Sequence, residues 1–248
     1  TLIVGPTGAG KSVQLNIIAA SFRKYKDARI FIFDKGASSM VLTAGVGGRF
    51  FDLGNETQHL SFQPLAQIDN DKERQWIQEW LCDFIRQENV KITPEHKKII
   101  WNALNVVASY KDKNFRRMTN LVNAIQSVEL KTALQPLTIS GAYGEIFDAD
   151  TDSLQLSSWQ TFEMQKLMAT PAIVGSTLMY IFHRIEQSLN GALTLIILDE
   201  CWVFFDNEQF AQKIREWLKV LRKANASVVF ATQSLTDIVE SPIFSTVL

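Results

Sequence analysis

The chain has 248 residues, enough for one large α/β domain or for one such domain carrying an inserted subdomain. Its 46% hydrophobic and 21% charged residues are the make-up of a soluble globular protein, which excludes disorder and coiled coil as first readings. The 25 Lys+Arg against 26 Asp+Glu exclude the basic excess of a protein that holds nucleic acid over a wide face, while a narrow basic pore loop stays open.

The opening TLIV reads as the end of a strand already under way, so the chain is expected to be a fragment of a longer protein, without a signal peptide. A Gly-rich turn follows, then an apolar helix from about Lys11 to Tyr25 and a buried strand from Arg29 to Phe33. Asp69-Asn70-Asp71 caps a helix bearing Trp76, Trp80 and Leu81, and Thr93-Pro94-Glu95 starts another with an N-cap and Pro at N1. Helical periodicity continues through Leu121, Ile125 and Leu130, with almost no strand signal between Asp69 and Ser140. Strand character returns at Trp159 to Phe162, and Thr170-Pro171 opens a long helix expected to close at Asn190-Gly191. Leu193 to Leu198 is an apolar run, Gln209 to Lys223 an amphipathic helix ended by Asn225, and Ser227 to Ala231 a last apolar run.

Strands apolar on both faces and alternating with helices indicate a parallel sheet covered on both sides. The expected organisation is an α/β core in two parts, residues 1–68 and 151–248, interrupted by a mainly helical insertion over 69–150. The most apolar stretch, Pro171 to Phe182, is cut by His183 and Arg184 before the ~18 residues of a membrane span, so no span is expected. Cys82 and Cys201 are far apart and lack metal-ligand spacing, as do His59, His96 and His183, which leaves no zinc site and fits a reducing compartment.

GPTGAGKS, Gly5 to Ser12, fits G-x-x-x-x-G-K-[ST] between an apolar strand and an apolar helix. Gly5, Pro6, Thr7, Gly8, Ala9, Gly10, Lys11, Ser12 and Val13 are the expected nucleotide-binding residues. Their backbone N–H groups would curl round the phosphates, Lys11 would reach the β- and γ-phosphates, and the Ser12 hydroxyl would bind Mg²⁺. LTLIILDE, Leu193 to Glu200, supplies a buried strand ending in Asp199 as second Mg²⁺ residue and Glu200 to polarise the attacking water. Gln233, in FATQS, should sit between the two motif strands as a γ-phosphate sensor, or be a simple polar strand end. Arg222, with Lys223, ends the helix after the acidic motif and is read either as an arginine finger or as a complement to the helix dipole. Asp34 and Lys35 lie near the nucleotide or pair on the surface, and Arg116-Arg117 reads as a solvated helix face, with a DNA or partner contact as the lesser reading. A guanine-specific N-K-x-D signature and an L-S-G-G-Q-like stretch are both missing, which disfavours a GTPase and a transporter-type ATPase.

Beyond these motifs, FDKGAS, SFQPLA, ALQPLTISGAYGEIFDAD, WQTFEMQKLM, FHRIE and IREWLKVLRKANASVVFATQS make nearly the whole chain resemble the motor domain of TrbE-type conjugal-transfer ATPases of type IV secretion systems. The resemblance implies a RecA-like P-loop core with an all-helical insertion, Mg-dependent ATP hydrolysis at the cytoplasmic face of the inner membrane, and assembly as a hexamer or dimers. It also implies contacts with other secretion components through regions outside this chain. Cys201 departs from the small Ala usual after the acidic pair. The competing reading is a DNA-translocating motor of the related FtsK/HerA-like class, with DNA contact left open; a module that uses ATP only as structural glue is disfavoured by Glu200.

Overall fold

The computed structural model describes residues 1–54, 60–200 and 208–233; His59 and Cys201 lie outside them. In chain order the elements are β1 (Leu2–Val4), α1 (Lys11–Phe22), β2 (Arg29–Asp34), α2 (Met40–Gly45) and β3 (Arg49–Asp52). The helices α3 (Asp71–Gln87), α4 (Pro94–Ala108), α5 (Met118–Ala124), α6 (Val128–Leu134) and α7 (Gly144–Phe147) follow. Then come β4 (Trp159–Glu163), α8 (Gln165–Met168), α9 (Pro171–Ser188), β5 (Thr194–Leu198), α10 (Glu208–Lys223) and β6 (Ala226–Thr232). Two compact units result: Thr1–Asn55 with Leu156–Gly175 and Ile181–Leu248, and Glu56–Gln155 with Ser176–Tyr180.

The first unit holds a six-stranded sheet in the order β1-β6-β5-β2-β4-β3, with every described pairing parallel. The doubly covered α/β sheet expected from the apolar runs is the one observed. Along β2, β5 and β6, Ile30, Ile32, Leu195, Ile197, Val229 and Ala231 share a core with Leu15 and Ala19 of α1. The alternate positions turn to the other face, where Phe33 stacks on Phe162 at 5.0 Å and meets Phe182 of α9 edge-on at 4.9 Å. Phe182 in turn stacks on Trp217 of α10 at 4.4 Å, so aromatic rings fasten both helices to that face. Because the strands are parallel, their carboxyl ends lie along one edge, and the loops there carry the polar residues.

Two helix ends and one strand depart from the sequence expectation by more than a residue. α1 ends at Phe22, because Arg23, Lys24 and Tyr25 donate to residues three back and tighten the last turn. α9 stops at Ser188 with Leu189 extended; Asn190 and left-handed Gly191 form a separate turn in which the Asn190 side chain accepts from Ala192 N–H. β3 has no signal in the sequence, since four half-exposed residues at the sheet edge show no usable periodicity.

In the second unit the described residues are helical or irregular, with no strand. Asn70 caps α3 by accepting from Lys72 N–H, and Thr93 caps α4 by accepting from His96 N–H with Pro94 at N1. Ile77, Trp80, Leu81, Phe84 and Ile85 of α3 and Ile100, Ala103, Leu104 and Val107 of α4 are buried at helical spacing. Gly144 is required by a close approach: a Cβ there would stand 2.1 Å from the Thr138 carbonyl oxygen. The expectation of a solvated Arg116-Arg117 face is corrected. Arg116 is 5% exposed, and its guanidinium donates to the carbonyls of Ala66, Ala108 and Tyr110 and to Asp69. It satisfies carbonyls at the end of α4 and beyond, where the helix itself supplies no donors.

Candidate active site

The turn from Gly5 to Gly10 joins β1 to α1 at the carboxyl edge of the sheet. Gly5 N–H donates to Thr232 of β6, which ties the start of the turn to the neighbouring strand. Gly8 and Gly10 have φ of 83° and 78°, a backbone that L side chains rarely adopt, and this lets the chain double back into the helix. α1 opens without a side-chain cap or an acidic residue in its first turn, and Gln14 N–H closes its first turn by donating to Gly10. The N–H groups of Lys11, Ser12 and Val13 therefore lie ahead of the intrahelical ladder, at the positive end of the helix dipole. Pro6, Thr7, Gly8, Ala9 and Gly10 are exposed. The Val13 side chain is 63% exposed, so a nucleotide role for this residue falls to its backbone.

Opposite the turn, Asp199 and Glu200 follow fully buried β5 and are themselves 4% and 5% exposed. Asp199 N–H continues the ladder to Phe33 of β2, and its Oδ1 accepts from Glu200 N–H at 3.1 Å. Burial pushes the Asp199 carboxyl up to about 6, with Asp34 adding to the rise and Lys11 opposing it. Glu200 has φ of 53°, and its Oε1 lies 4.0 Å from Lys11 Nζ and accepts from Gln233 Nε2 at 2.5 Å. Gln233 directly follows β6, the strand between β1 and β5, and its Oε1 accepts from the Thr7 hydroxyl at 2.8 Å. Lys11, Asp199, Glu200 and Gln233 are thus brought to one place.

Arg222 is not brought there. It is exposed at the end of α10 before β6, and β6 runs seven residues to Thr232, about 20 Å, before the site is reached. A role for Arg222 in its own chain's site is excluded by this placement.

Sequence reasoning missed a row of acids beside the site. In-register pairing places Asp52, Glu163 and Asp34 side by side on β3, β4 and β2, and Asp199 comes next in line as the residue just after β5. Three are locally compensated. Asp52 pairs with Lys166 at 2.8 Å; Glu163 accepts from Gly36, Ala37 and Gln165 N–H; Asp34 accepts from the Ser38 hydroxyl at 2.6 Å and Ser39 N–H at 2.8 Å. Asp34 is 1% exposed, which corrects the surface reading of that residue. The available signal was the strand endings Phe33-Asp34, Phe51-Asp52, Phe162-Glu163 and Leu198-Asp199, each an apolar residue followed by an acid.

The oxygen-only set of Ser12 and Asp199, with a buried carboxyl whose charge is poorly compensated, fits a hard cation such as Mg²⁺. Among the described residues no cluster of three or more His, Cys, Asp or Glu could hold a metal ion.

Residues 113–248 match the TraG P-loop domain. The chain belongs to that family. It is 43% identical over 244 residues to the conjugal transfer protein TrbE of Rhizobium radiobacter, a match that covers 96% of this chain and 29% of the relative. It is 26% identical over 252 residues to the type IV secretion system protein virB4 of Bartonella quintana, covering 100% of this chain and 32% of the relative. The chain therefore spans about a third of the length of these relatives. In fold it is similar to VirB4 of Thermoanaerobacter pseudethanolicus, with a TM-score of 0.75, 17% identity, and coverage of 99% of this chain and 72% of that one. The resemblance to TrbE-type ATPases of type IV secretion systems drawn from the motif blocks is matched by these relatives. Among the described residues no helix is long and apolar enough to cross a membrane.

Proposed function

We propose that this chain is the motor domain of a conjugative type IV secretion ATPase, in which Mg-dependent ATP hydrolysis drives channel and pilus assembly and substrate transfer. The observation that carries the reading is the meeting of Lys11, Asp199, Glu200 and Gln233 at the carboxyl edge of one sheet, with Lys11 4.0 Å from Glu200 and Gln233 2.5 Å from Glu200. A base, a cation and an amide so placed suit phosphoryl transfer to water better than nucleotide binding alone.

In this mechanism the backbone N–H groups from Gly8 to Val13 receive the phosphates at the positive end of α1. Lys11 leaves Glu200 for the β- and γ-phosphate oxygens. Ser12 and Asp199 would hold Mg²⁺, which would supply positive charge to offset the negative charge of the phosphates. Glu200 orients a water and takes its proton, while Gln233 Nε2 stays within reach of Glu200 and of the transferred phosphoryl. The helical unit is an inserted subdomain, and the complete protein works as an oligomer beneath the envelope channel at the cytoplasmic face of the inner membrane. Within that oligomer Arg222 reaches the site of a neighbouring copy.

The test is Glu200→Gln, measured by ATP turnover and by nucleotide binding. Binding should persist while turnover falls by at least about a hundredfold, the usual size of a general-base contribution. Turnover equal to that of the unmodified chain would sink the assignment of Glu200.

A further inference from the structure

We propose that Thr7 is a positioning residue for turnover: its hydroxyl fixes which way the Gln233 amide faces, and through that amide it fixes the Glu200 carboxylate. The inference rests on the reading of Glu200 as the base. Thr7 Oγ1 donates to Gln233 Oε1 at 2.8 Å, and Gln233 Nε2 donates to Glu200 Oε1 at 2.5 Å. The three residues follow β1, β6 and β5, and β6 lies between the other two strands. Gln233 is therefore placed to touch the phosphate-binding turn with one end and the acidic pair with the other.

The chemistry of an amide makes this arrangement directional. One end is an acceptor and the other carries two donors, and the two ends differ little in shape. The carboxylate of Glu200 accepts only, so it selects the NH₂ end; the reversed amide would set two acceptor oxygens against each other. The oxygen end faces the Thr7 hydroxyl, which donates to it. The phosphate-binding turn works through backbone N–H groups, which leaves the side chain at position 7 free for this task. Valine at this position would keep the shape and remove the donor.

The consequence is a coupling between two walls of the site. When Lys11 is drawn from Glu200 to a phosphate, the Gln233 amide remains as a neutral donor that holds the carboxylate without neutralising it. Movement of the turn at Thr7 is passed to Glu200 through one side chain rather than through the backbone.

The experiment is a double-mutant cycle of Thr7→Val and Gln233→Leu on steady-state ATP turnover by the whole 248-residue chain. Thr7→Val should lower kcat by about fivefold with KM for ATP changed less than about twofold, the size and pattern of one lost orienting hydrogen bond. In the Gln233→Leu background the Thr7→Val loss should vanish, and Thr7→Ser, which keeps the donor, should lose less than Thr7→Val. An equal loss in both backgrounds, or a loss confined to KM, overturns the proposal. A second readout needs no turnover: the side-chain amide protons of Gln233, resolved by NMR, should move toward free-amide positions in Thr7→Val. Unchanged amide signals refute the role of Thr7 even if Glu200→Gln behaves as expected. Turnover that survives Glu200→Gln, with the amide signals moving, refutes the base assignment instead.

Discussion

Asp199→Asn should make the nucleotide-free protein more stable while stopping turnover. Burial moves this carboxyl from 3.8 to about 6, and a change of that size corresponds to about 3 kcal/mol at neutral pH, the free energy of keeping the group ionised in the fold. The sign follows from proton counting. Between pH 4 and 6 the native state holds the Asp199 proton more tightly than the unfolded chain does, so this group's contribution to stability falls as pH rises through that interval. It is fully unfavourable above about pH 7. Asparagine keeps the shape, can still accept from Glu200 N–H, and carries no charge to bury; Lys11 retains Glu200 as a partner at 4.0 Å. The opposing pull of Lys11 is already contained in that shift, so a gain of up to about 3 kcal/mol is expected at pH 8. Urea unfolding of both proteins without nucleotide, at pH 5 and pH 8, is the assay. The difference should be largest at pH 8 and shrink toward pH 5, where the wild-type group is itself largely protonated. A destabilisation of equal size at both pH values would refute the argument, because it would mean that the carboxylate is held by partners and is not isolated by burial.

Gly144→Ala should cost about 2 kcal/mol or more and lower the urea midpoint, because the new methyl has only the 2.1 Å gap to the Thr138 carbonyl to occupy; an unchanged midpoint would show that the loop yields freely. Cys82 is fully buried and its thiol is pushed up to about 11, so it should resist alkylation at pH 8 in the native protein and react on unfolding, as read by peptide mass mapping; rapid native labelling at Cys82 would contradict its burial. Arg222→Ala should lower turnover by at least about tenfold with nucleotide binding retained, and mixing it with Lys11→Ala chains should recover part of the activity. No loss in Arg222→Ala would remove the arginine from the site of any copy.

The two contiguous motifs were legible because each carries its chemistry in adjacent residues: a Gly-rich turn before a helix, and Asp199-Glu200 after a buried strand. The parallel sheet was legible for a related reason, since β2 and β5 are apolar on both faces and can only be interior. What escaped depends on register between distant segments. Asp34 and Glu163 become neighbours only once β2 is paired with β4, and nothing near either residue in sequence announces that pairing. Arg116 escaped for a different reason. Charge alone suggests solvent, whereas the carbonyls left over where α4 ends make a buried guanidinium the better solution. β3 escaped because an edge strand of four residues is too short to display alternation.

The left-handed backbone at Glu200 explains how two consecutive acids can both come near Lys11. On β5, Leu195 and Ile197 face α1, so an undistorted strand would send Asp199 the same way and Glu200 to the opposite face, among the aromatic rings under α9 and α10. Reversing φ at Glu200 turns its carboxylate back to Lys11 and Gln233. Position 200 therefore combines two separable features, a carboxylate that meets Lys11 and Gln233 and a backbone with positive φ. β-Branched replacements would strain the backbone whatever their chemistry, so a library at position 200 that includes Val or Ile reports on conformation, while glutamine isolates the charge.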